Sequence, residues 1–446
     1  MAYIPNTDAD RRRMLDAIGI HEISDLFESI PDAIKLNRPL DIPGPLTEME
    51  LRRLASGLAG QNANLDDYPC FLGAGIYDRF IPSTVPAVIG RSEFYTSYTP
   101  YQPEISQGNL QSVFEFQTLI CQLTGMEVAN ASMYDGATAL TEAALMASSI
   151  TGRAEWLVSS SVHPAYRDVM RTYAWASGHK LVEMGRVGIL TDQTDLMRLI
   201  TDETACVVVQ NPNFFGALES LSEFEATAHK HGALFIVCVD PISLGLLKPP
   251  GEYNADICVA EGQSLGVSPA FGGPLLGLFA CKKQYVRQMP GRIVGATTDS
   301  EGRRGYTLTL QTREQHIRRE KATSNICTNE ALNALAATVY LATMGKQGLR
   351  QVANLCMQKA HFTADAISSL QGYRLPFKTP FFNEFVVKCP KPVSEINGHL
   401  LDSRIIGGLD LGKYYTDMSN HMLICVTEMR TAEEIQKMVG GLNDAS

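Results

Sequence analysis

The sequence of 446 residues lacks the features that mark several large classes of protein. No apolar run approaches the roughly 20 residues of a membrane-spanning helix. The N-terminus shows no basic stretch followed by an apolar core, so we expect no signal peptide. Positive charge is in deficit: the formal net charge is -10, which argues against a nucleic acid or an anionic membrane as a partner. These absences predict a cytoplasmic protein.

Paired cysteines are also lacking. The ten cysteines are scattered, no two form Cys-x-x-Cys, and none lies beside a His-x-x-x-His pair, so we expect no metal site. Several fall within apolar stretches that are typical of strands: Cys206, Cys238, Cys258 and Cys425. Buried free thiols are typical of a reducing compartment, which agrees with a cytoplasmic location.

The most informative absence is a lysine. The stretch Asp256–Gly266 follows an apolar strand that ends in Asp240, and a glycine run comes soon after it. This order of strand, acid, second strand, turn and glycines resembles the cofactor half of pyridoxal phosphate (PLP) enzymes of the aspartate aminotransferase superfamily. In those enzymes a lysine in the turn forms the Schiff base, whereas here the aligned residue is Ser264. The nearest lysines, Lys248 and Lys282, lie outside the turn.

The resemblance implies an α/β fold, the fold type I of PLP-dependent transferases. Alternating apolar and helical patterns independently predict a mostly parallel sheet covered by helices. The predicted strands are Glu155–Ser159, Lys180–Glu183, Cys206–Gln210, Leu234–Asp240, Ile257–Ala260 and Pro274–Cys281. We expect an N-terminal helical arm over residues 1–70, a large domain over 71–322 and a smaller C-terminal α+β domain over 323–446.

Helical patterns occur at both ends of the chain. Apolar spacing predicts a helix over Ile20–Ile30, and Thr47 with Glu50 forms a capping-box pattern at the start of another. Near the C-terminus we predict two helices, Thr328–Met344 and Leu349–Leu370, with the second starting after Gly348.

An aromatic segment, Arg91–Gly108, contains the first candidate site residues. Tyr95, Tyr98 and Tyr101 recur every three residues in a stretch with too many prolines and tyrosines for a helix interior. Phenols on a loop offer many hydrogen-bond donors, and loops carry much of protein function. On the residues alone, surface packing against a partner subunit is an equally good interpretation.

Two further positions match places where related enzymes hold the cofactor. The segment Asn130–Thr138 leads into a helix whose bare N–H groups would favour an anion, but without the lysine we favour Asp135 as a simple N-cap. In related enzymes the acid at the position of Asp240 pairs with the pyridine nitrogen. Here we expect that carboxylate to pack against Ser243 or backbone amides.

Four motifs are very similar to one family, the alpha chains (subunit 1) of the two-subunit glycine dehydrogenase (decarboxylating), which is the P protein of the glycine cleavage system. They are Phe94–Gly108, Asn130–Thr138, Glu261–Gly266 and Ala322–Ala331. The resemblance runs over essentially the whole chain. It implies that a homologous beta subunit binds PLP covalently through its own lysine, and that this chain does not.

The resemblance also implies roles for particular residues. Tyr95, Tyr98 and Tyr101 would be contributed to the partner's catalytic site, and Thr323, Ser324 and Asn325 would lie near its cofactor. The implied reaction decarboxylates glycine and transfers the aminomethyl group to the lipoyl arm of the H protein. Two alternatives stay open: a non-catalytic scaffold subunit, and an independent PLP transferase that uses another lysine, for which Lys248 is the candidate.

Overall fold

A computed structural model describes residues 5–36 and 38–446. The chain divides into two compact units, Met1–Asn62 and Ala63–Ser446. The expected boundaries after residues 70 and 322 stay predictions. In the described ranges no helix combines the length and the apolar character that crossing a membrane requires.

The first unit is helical and buries none of the residues of its helices. It contains α1 (Asp8–Ile18), a 3-10 helix (Ile23–Phe27) and α2 (Glu48–Ala59). The Thr47 capping box is confirmed, because Thr47 and Glu50 each bond the other's backbone N–H. The predicted helix over Ile20–Ile30 is wrong in length. Its apolar side chains are about half exposed, so packing does not stabilise more than one short turn.

The second unit contains the remaining helices and all strands of the described chain. Its helices are α3 (Thr84–Ile89), α4 (Ser92–Tyr95), α5 (Gln107–Thr124), α6 (Gly136–Thr151), α7 (Pro164–Ser177), α8 (Gln193–Leu199), α9 (Leu221–Lys230), α10 (Gln315–Arg318), α11 (Ala331–Ser368), α12 (Val393–Asp402) and α13 (Ala432–Asp444). Its strands are β1 (Val128–Ala129), β2 (Glu155–Ser159), β3 (Lys180–Met184), β4 (Arg186–Val187), β5 (Leu190–Thr191), β6 (Thr204–Gln210), β7 (Leu234–Val239), β8 (Ile257–Glu261), β9 (Gly277–Cys281), β10 (Ile293–Thr298), β11 (Arg304–Thr309), β12 (Glu384–Lys388), β13 (Leu409–Asp410) and β14 (His421–Cys425).

A seven-stranded sheet forms the centre of this unit, in the order β1-β9-β8-β7-β6-β2-β3. The pairs from β3 to β8 are parallel, and β9 runs antiparallel to both of its neighbours. The predicted mostly parallel sheet is confirmed. Strand β9 starts at Gly277 rather than at Pro274, because proline has no N–H for the ladder and the Leu276 N–H is bonded to the Glu261 side chain.

Both faces of the sheet are covered, as near-continuous apolar strands predict. Alternate residues of β2 point to opposite sides: Trp156 belongs to the buried cluster that includes α6 and α7, and Leu157 to the one that includes α9 and α11. The strand ends are therefore held between two packed layers, and this fixes the loops that follow them.

A second sheet, of order β12-β14-β13, is antiparallel and packs with α12, α13 and the C-terminal part of α11. The two helices predicted after residue 328 are one element, α11, with a break in backbone conformation at Gly345 (φ 60°) rather than at Gly348. Helix α11 contributes to the clusters around both sheets and so connects them.

We expect Gly277→Ala to destabilise the chain. A Cβ at Gly277 would lie 2.5 Å from both the Asp135 carbonyl oxygen and the Met133 Cβ, where the loop before α6 pairs with β9. Overpacking of this kind costs about 1–3 kcal/mol of unfolding free energy, which urea unfolding measures. Gly398→Ala is the control. Gly398 lies in α12, and a Cβ added there would meet no atom within 4 Å apart from the adjoining backbone, so the change should stabilise the chain or be neutral. Equal stability of Gly277→Ala and the wild type would contradict the expectation.

Candidate functional site

A pocket lies at the carboxyl ends of the central strands, which we name the strand-end pocket. Its lining comes from segment 75–77, the start of α7, the ends of β6, β7 and β8, and the start of β12. Among the described residues its lining includes no lysine, and the free space is about 30 Å³. Space of that size admits only a few water molecules. The pocket is therefore filled by the chain's own side chains.

The turn that carries a lysine in related enzymes is buried here, and hydrogen bonds of Gln263 hold it in place. Ser264 is 1% exposed. Beside it, the Gln263 amide accepts the Tyr77 N–H (2.8 Å) and donates to the carbonyls of Tyr77 (3.0 Å) and Val267 (2.7 Å). Gln263 thus ties segment 75–79 to the turn after β8.

Asp240 has the neighbours expected from the sequence and one that was missed. Its Oδ1 accepts the Ile242 N–H (2.9 Å), and the Ser243 hydroxyl donates to its carbonyl (2.7 Å). The unexpected neighbour is Arg79, whose Nη2 lies 3.5 Å from Oδ2 of Asp240. Arg79 is almost fully buried and also donates from Nη1 to Glu428 (3.0 Å). Burial raises the pKa of Asp240 above its usual range, although the Arg79 charge opposes this.

Glu261, at the end of β8, is a second acid that sequence reasoning missed. Its Oε2 accepts the N–H of Gly136, the first residue of α6, at 2.9 Å. The predicted N-cap is confirmed, because the Asp135 side chain accepts the Thr138 N–H at 2.7 Å. Burial raises the pKa of Glu261 to about 7, and its backbone hydrogen bonds oppose the rise. An acid at the end of an apolar strand was the available signal in the sequence.

A third buried acid, Glu384, closes the side of the pocket that β12 forms. It accepts the Ala74 N–H (2.7 Å) and the Tyr77 hydroxyl (2.9 Å). Burial raises its pKa to about 7. No local pattern marked Glu384 or Arg79, because both act on residues far away in the chain.

His163 stacks on a neighbour within the chain. Its ring lies 4.8 Å from the Tyr166 ring at an interplanar angle of 29°. Nδ1 accepts the Ala165 N–H (3.1 Å) and Nε2 lies 2.9 Å from the Ala74 carbonyl, an arrangement that suits a neutral ring with its proton on Nε2. Burial lowers its pKa below the ordinary value, which also favours the neutral ring.

The residues of the strand-end pocket do not fit PLP. The space that remains, about 30 Å³, admits only a few water molecules rather than a pyridine ring, and the lining offers no lysine among the described residues. Arg79 Nη2 lies 3.5 Å from Oδ2 of the acid that would face a ring nitrogen, and this oxygen accepts no hydrogen bond from the described residues. The first N–H of α6, which would face a phosphate, is bonded to Glu261.

The aromatic segment, in contrast, is exposed. Tyr95 is 69% exposed, Tyr98 83% and Tyr101 50%. The phenols of Tyr95 and Tyr98 have no hydrogen-bond partner in the part of the chain that the structure describes. The segment is not entirely irregular, since α4 and a 3-10 turn (Pro103–Ile105) interrupt it and α5 begins at Gln107.

Arg292 connects the aromatic segment to the region after residue 322. Its Nη2 donates to the Tyr101 hydroxyl (3.2 Å), and its Nη1 lies 3.4 Å from Oδ1 of Asn329. The guanidinium is 5.5 Å from the centre of the Tyr101 ring, within cation–π range. Asn329 in turn donates to the Ala131 carbonyl and the Ser132 hydroxyl, both at 3.0 Å. Tyr101 is thus brought close to the start of α11, and its position depends on a buried arginine.

Thr323, Ser324 and Asn325 lie in the irregular stretch before α11. The Ser324 hydroxyl accepts the Ile326 N–H (3.1 Å). Burial raises the pKa of Glu142 to about 7, and the Ser324 hydroxyl opposes the rise. Ser324 therefore already has a structural role within this chain.

The sheet order, the covering helices and the pocket at the strand ends define a protein of the PLP-dependent transferase fold, type I. Solved structures with this fold include a sphingosine-1-phosphate lyase of Burkholderia pseudomallei, with 15% identity and a TM-score of 0.66, covering 93% of this chain and 94% of that one. A cysteine desulfurase of Escherichia coli has 14% identity and a TM-score of 0.63, covering 87% and 98%. At such identities the likeness shows the fold alone.

Closer relatives show the family. A family model described as glycine cleavage system P-protein matches residues 1–442. The chain is 54% identical over 446 residues to a probable glycine dehydrogenase (decarboxylating) subunit 1 of Desulforamulus reducens, covering 100% of both. A crystal structure of glycine decarboxylase (P-protein) of the glycine cleavage system, in inhibitor-bound form, is 45% identical with a TM-score of 0.91 over 100% of both chains. The chain belongs to the glycine cleavage system P-protein family.

Glu384 should make the stability of the chain depend on pH. Its pKa rises from an ordinary 4.5 to about 7 on folding, so the folded state holds a proton that the unfolded state has lost. The contribution to stability is complete below the lower value and falls as the pH rises through the higher one. Relative to Glu384→Gln, which does not titrate, the wild type should lose on the order of 2 kcal/mol of unfolding free energy from about pH 5 to about pH 8. The prediction would be contradicted if urea unfolding gave the same change in unfolding free energy with pH for the wild type and for Glu384→Gln.

Proposed function

We propose that this chain is the alpha subunit of a two-subunit glycine dehydrogenase (decarboxylating), the P protein of the glycine cleavage system. With a homologous beta subunit it decarboxylates glycine and transfers the aminomethyl group to the lipoyl arm of the H protein. The beta subunit binds PLP covalently through its own lysine, and this chain lines that subunit's active site. The complex works in the cytoplasm, a location with which ten free cysteines agree.

One contrast within the chain carries the proposal. The strand-end pocket is filled and has no lysine among its described lining residues, whereas the aromatic segment exposes the phenols of Tyr95 and Tyr98, to which no described residue is hydrogen-bonded. A subunit built to complete another chain's site needs this combination, since its polar donors must point outward. The full-length match to relatives named subunit 1 supports the same division of labour.

The residues of this chain would act on the substrate by binding and orientation. PLP held by the beta subunit supplies the electron sink for decarboxylation. Tyr95 and Tyr98 donate hydrogen bonds toward the glycine and the cofactor phosphate and displace water from them. Tyr101, held by Arg292, limits the freedom of the segment so that less entropy is lost when the site forms.

This chain's second contribution to the active site of the beta subunit comes from Thr323, Ser324 and Asn325. They lie in the irregular stretch before α11, and the Arg292–Asn329 contact keeps the start of that helix close to Tyr101. We place the Thr323 hydroxyl and the Asn325 amide next to the partner's cofactor phosphate. Ser324 shares this place while its hydroxyl also accepts the Ile326 N–H.

The same two segments form much of the interface with the beta subunit. The aromatic segment borders a groove of about 550 Å³ that reaches α11 and includes Phe94, Leu335 and Val339. Obligate interfaces commonly bury on the order of 2,000–5,000 Å² and are rich in such residues.

The independent PLP transferase is the weaker alternative. Lys248 is exposed on the stretch between β7 and β8 and is not among the residues that line the strand-end pocket. Lys282 is paired with Asp256 at 2.6 Å. A non-catalytic scaffold subunit agrees with the filled pocket equally well, and the measurements below separate it from the proposed role.

The isolated chain should form no covalent adduct with PLP. After incubation with PLP and reduction with borohydride, peptide mapping should find no lysine labelled above the level of general surface reaction. The physical reason is the absence of a lysine from the described lining of the filled pocket. A specifically labelled peptide that contains Lys248 would support the independent transferase instead. The same treatment of the assembled complex should label the beta subunit.

Glycine decarboxylation by the assembled complex tests the side chains. Tyr95→Phe and Tyr98→Phe should each lower turnover about ten- to hundred-fold while assembly stays intact, because a lost hydrogen bond to a charged group costs about 1.5–3 kcal/mol. Tyr285→Phe is a matched control from outside both segments and should keep wild-type turnover. Size-exclusion chromatography checks assembly for every variant.

Ser324→Ala needs a second readout because its hydroxyl already bonds within the chain. A fall in turnover together with an unchanged melting temperature would place its role at the partner's site. A fall in both the melting temperature and the turnover would show that Ser324 has a packing role. Wild-type turnover in both tyrosine variants and in Ser324→Ala would leave the chain as a scaffold.

A further inference from the structure

The start of helix α6 is a place where an anion would bind. The first N–H groups of a helix have no partner within the helix and lie at its positive end. In α6 the Asp135 side chain takes the Thr138 N–H at 2.7 Å, and the Gly136 N–H is directed at a group outside the helix. That group is the carboxyl of Glu261.

Glu261 is held by backbone donors on both of its oxygens. Oε2 accepts from Gly136, and Oε1 accepts from the N–H groups of Gln263 and Leu276, all at 2.9 Å. Glu261 is 8% exposed. A cradle of backbone N–H groups around one negative group is the arrangement with which proteins hold phosphate.

The close approach of α6 to β8 leaves no room for a larger group while Glu261 is present. A Cβ on Gly136 would lie 2.5 Å from the Tyr166 hydroxyl and 3.0 Å from the Glu261 nitrogen. Beyond the carboxyl, Tyr166 stacked on His163 and the side chain of Asp240 line the remaining free space of about 30 Å³.

We propose that the Glu261 side chain occupies a phosphate-type site and closes the strand-end pocket of this chain to phosphate-bearing ligands. The carboxyl satisfies the three N–H donors that a phosphate ester would otherwise attract. Replacement of Glu261 by alanine removes four heavy atoms next to the existing free space, and the cradle then accepts a tetrahedral anion. The proposal concerns this chain's own pocket and does not depend on the reaction that the complex catalyses.

Inorganic phosphate is the probe, and the full-length chain is the sample. At about pH 8, above the pKa of about 7 that burial gives Glu261, the wild type should show no saturable phosphate binding by calorimetry and no phosphate-dependent rise in melting temperature beyond that of chloride at equal ionic strength. The E261A variant should bind phosphate at least about ten-fold more tightly than the wild type, as charge-assisted hydrogen bonds imply. Sulfate should compete with phosphate in E261A.

Two further variants serve as controls. Glu127→Ala removes an exposed carboxyl that accepts a single backbone N–H, that of Lys283 at 2.8 Å, and should gain no phosphate binding. E261Q keeps the volume of the side chain, so its melting temperature should be as insensitive to phosphate as that of the wild type.

Three results would overturn the proposal. One is folded E261A, with a wild-type circular dichroism spectrum, that binds phosphate no better than the wild type. Another is saturable phosphate binding by the wild type. The third is a phosphate-dependent rise in the melting temperature of E261Q. It would show that phosphate enters the pocket although the side chain at position 261 keeps its volume. This measurement tests the proposal even if E261A fails to fold.

Discussion

The buried ion pairs of Arg79 join distant parts of the second unit. The Arg79 guanidinium is 1% exposed and lies against carboxylates from two different regions, Asp240 at the end of β7 and Glu428 after β14. Removing one partner of a buried pair leaves an uncompensated charge, which generally costs several kcal/mol. The seven-stranded sheet, the region that follows the small sheet and the irregular segment that carries Arg79 are therefore held in one arrangement. The filled state of the strand-end pocket depends on that arrangement.

The absence of a lysine is accompanied by a reconstruction of the whole pocket. Glu261 occupies the N-terminus of α6, Tyr166 stacks on His163, and Arg79 pairs with Asp240. Glu261 satisfies three backbone N–H groups that a bound anion would otherwise satisfy, and the His163 ring is already stacked. A lysine restored at Ser264 alone would therefore face a pocket whose space is taken by the chain's own side chains. The chain keeps the fold and presents its free phenols on the outside.

Much of the fold could be predicted because patterns of neighbouring residues in the sequence indicate it. The central strands β2, β3, β6, β7 and β8 lie within two residues of their predicted bounds, since their apolar runs are continuous and their neighbours polar. The caps at Thr47 and Asp135 were predictable because both partners of each lie within one turn. Prediction was poorer where packing decides the outcome. Residues 20–30 have helical spacing but are half exposed and form only a short 3-10 turn.

The sequence by itself determined that Ser264 stands where related enzymes have a lysine, that the strands alternate with helices, and that the tyrosines at 95, 98 and 101 share one segment. The tertiary structure alone decided which side chains meet in the pocket. Glu261 reaches Gly136 across 125 positions, Glu384 reaches Ala74 across 310, and Arg79 reaches Glu428 across 349. The physical reason is that hydrogen bonds and ion pairs act over a few ångströms in space, and only the packed sheets bring such distant parts of the chain that close together.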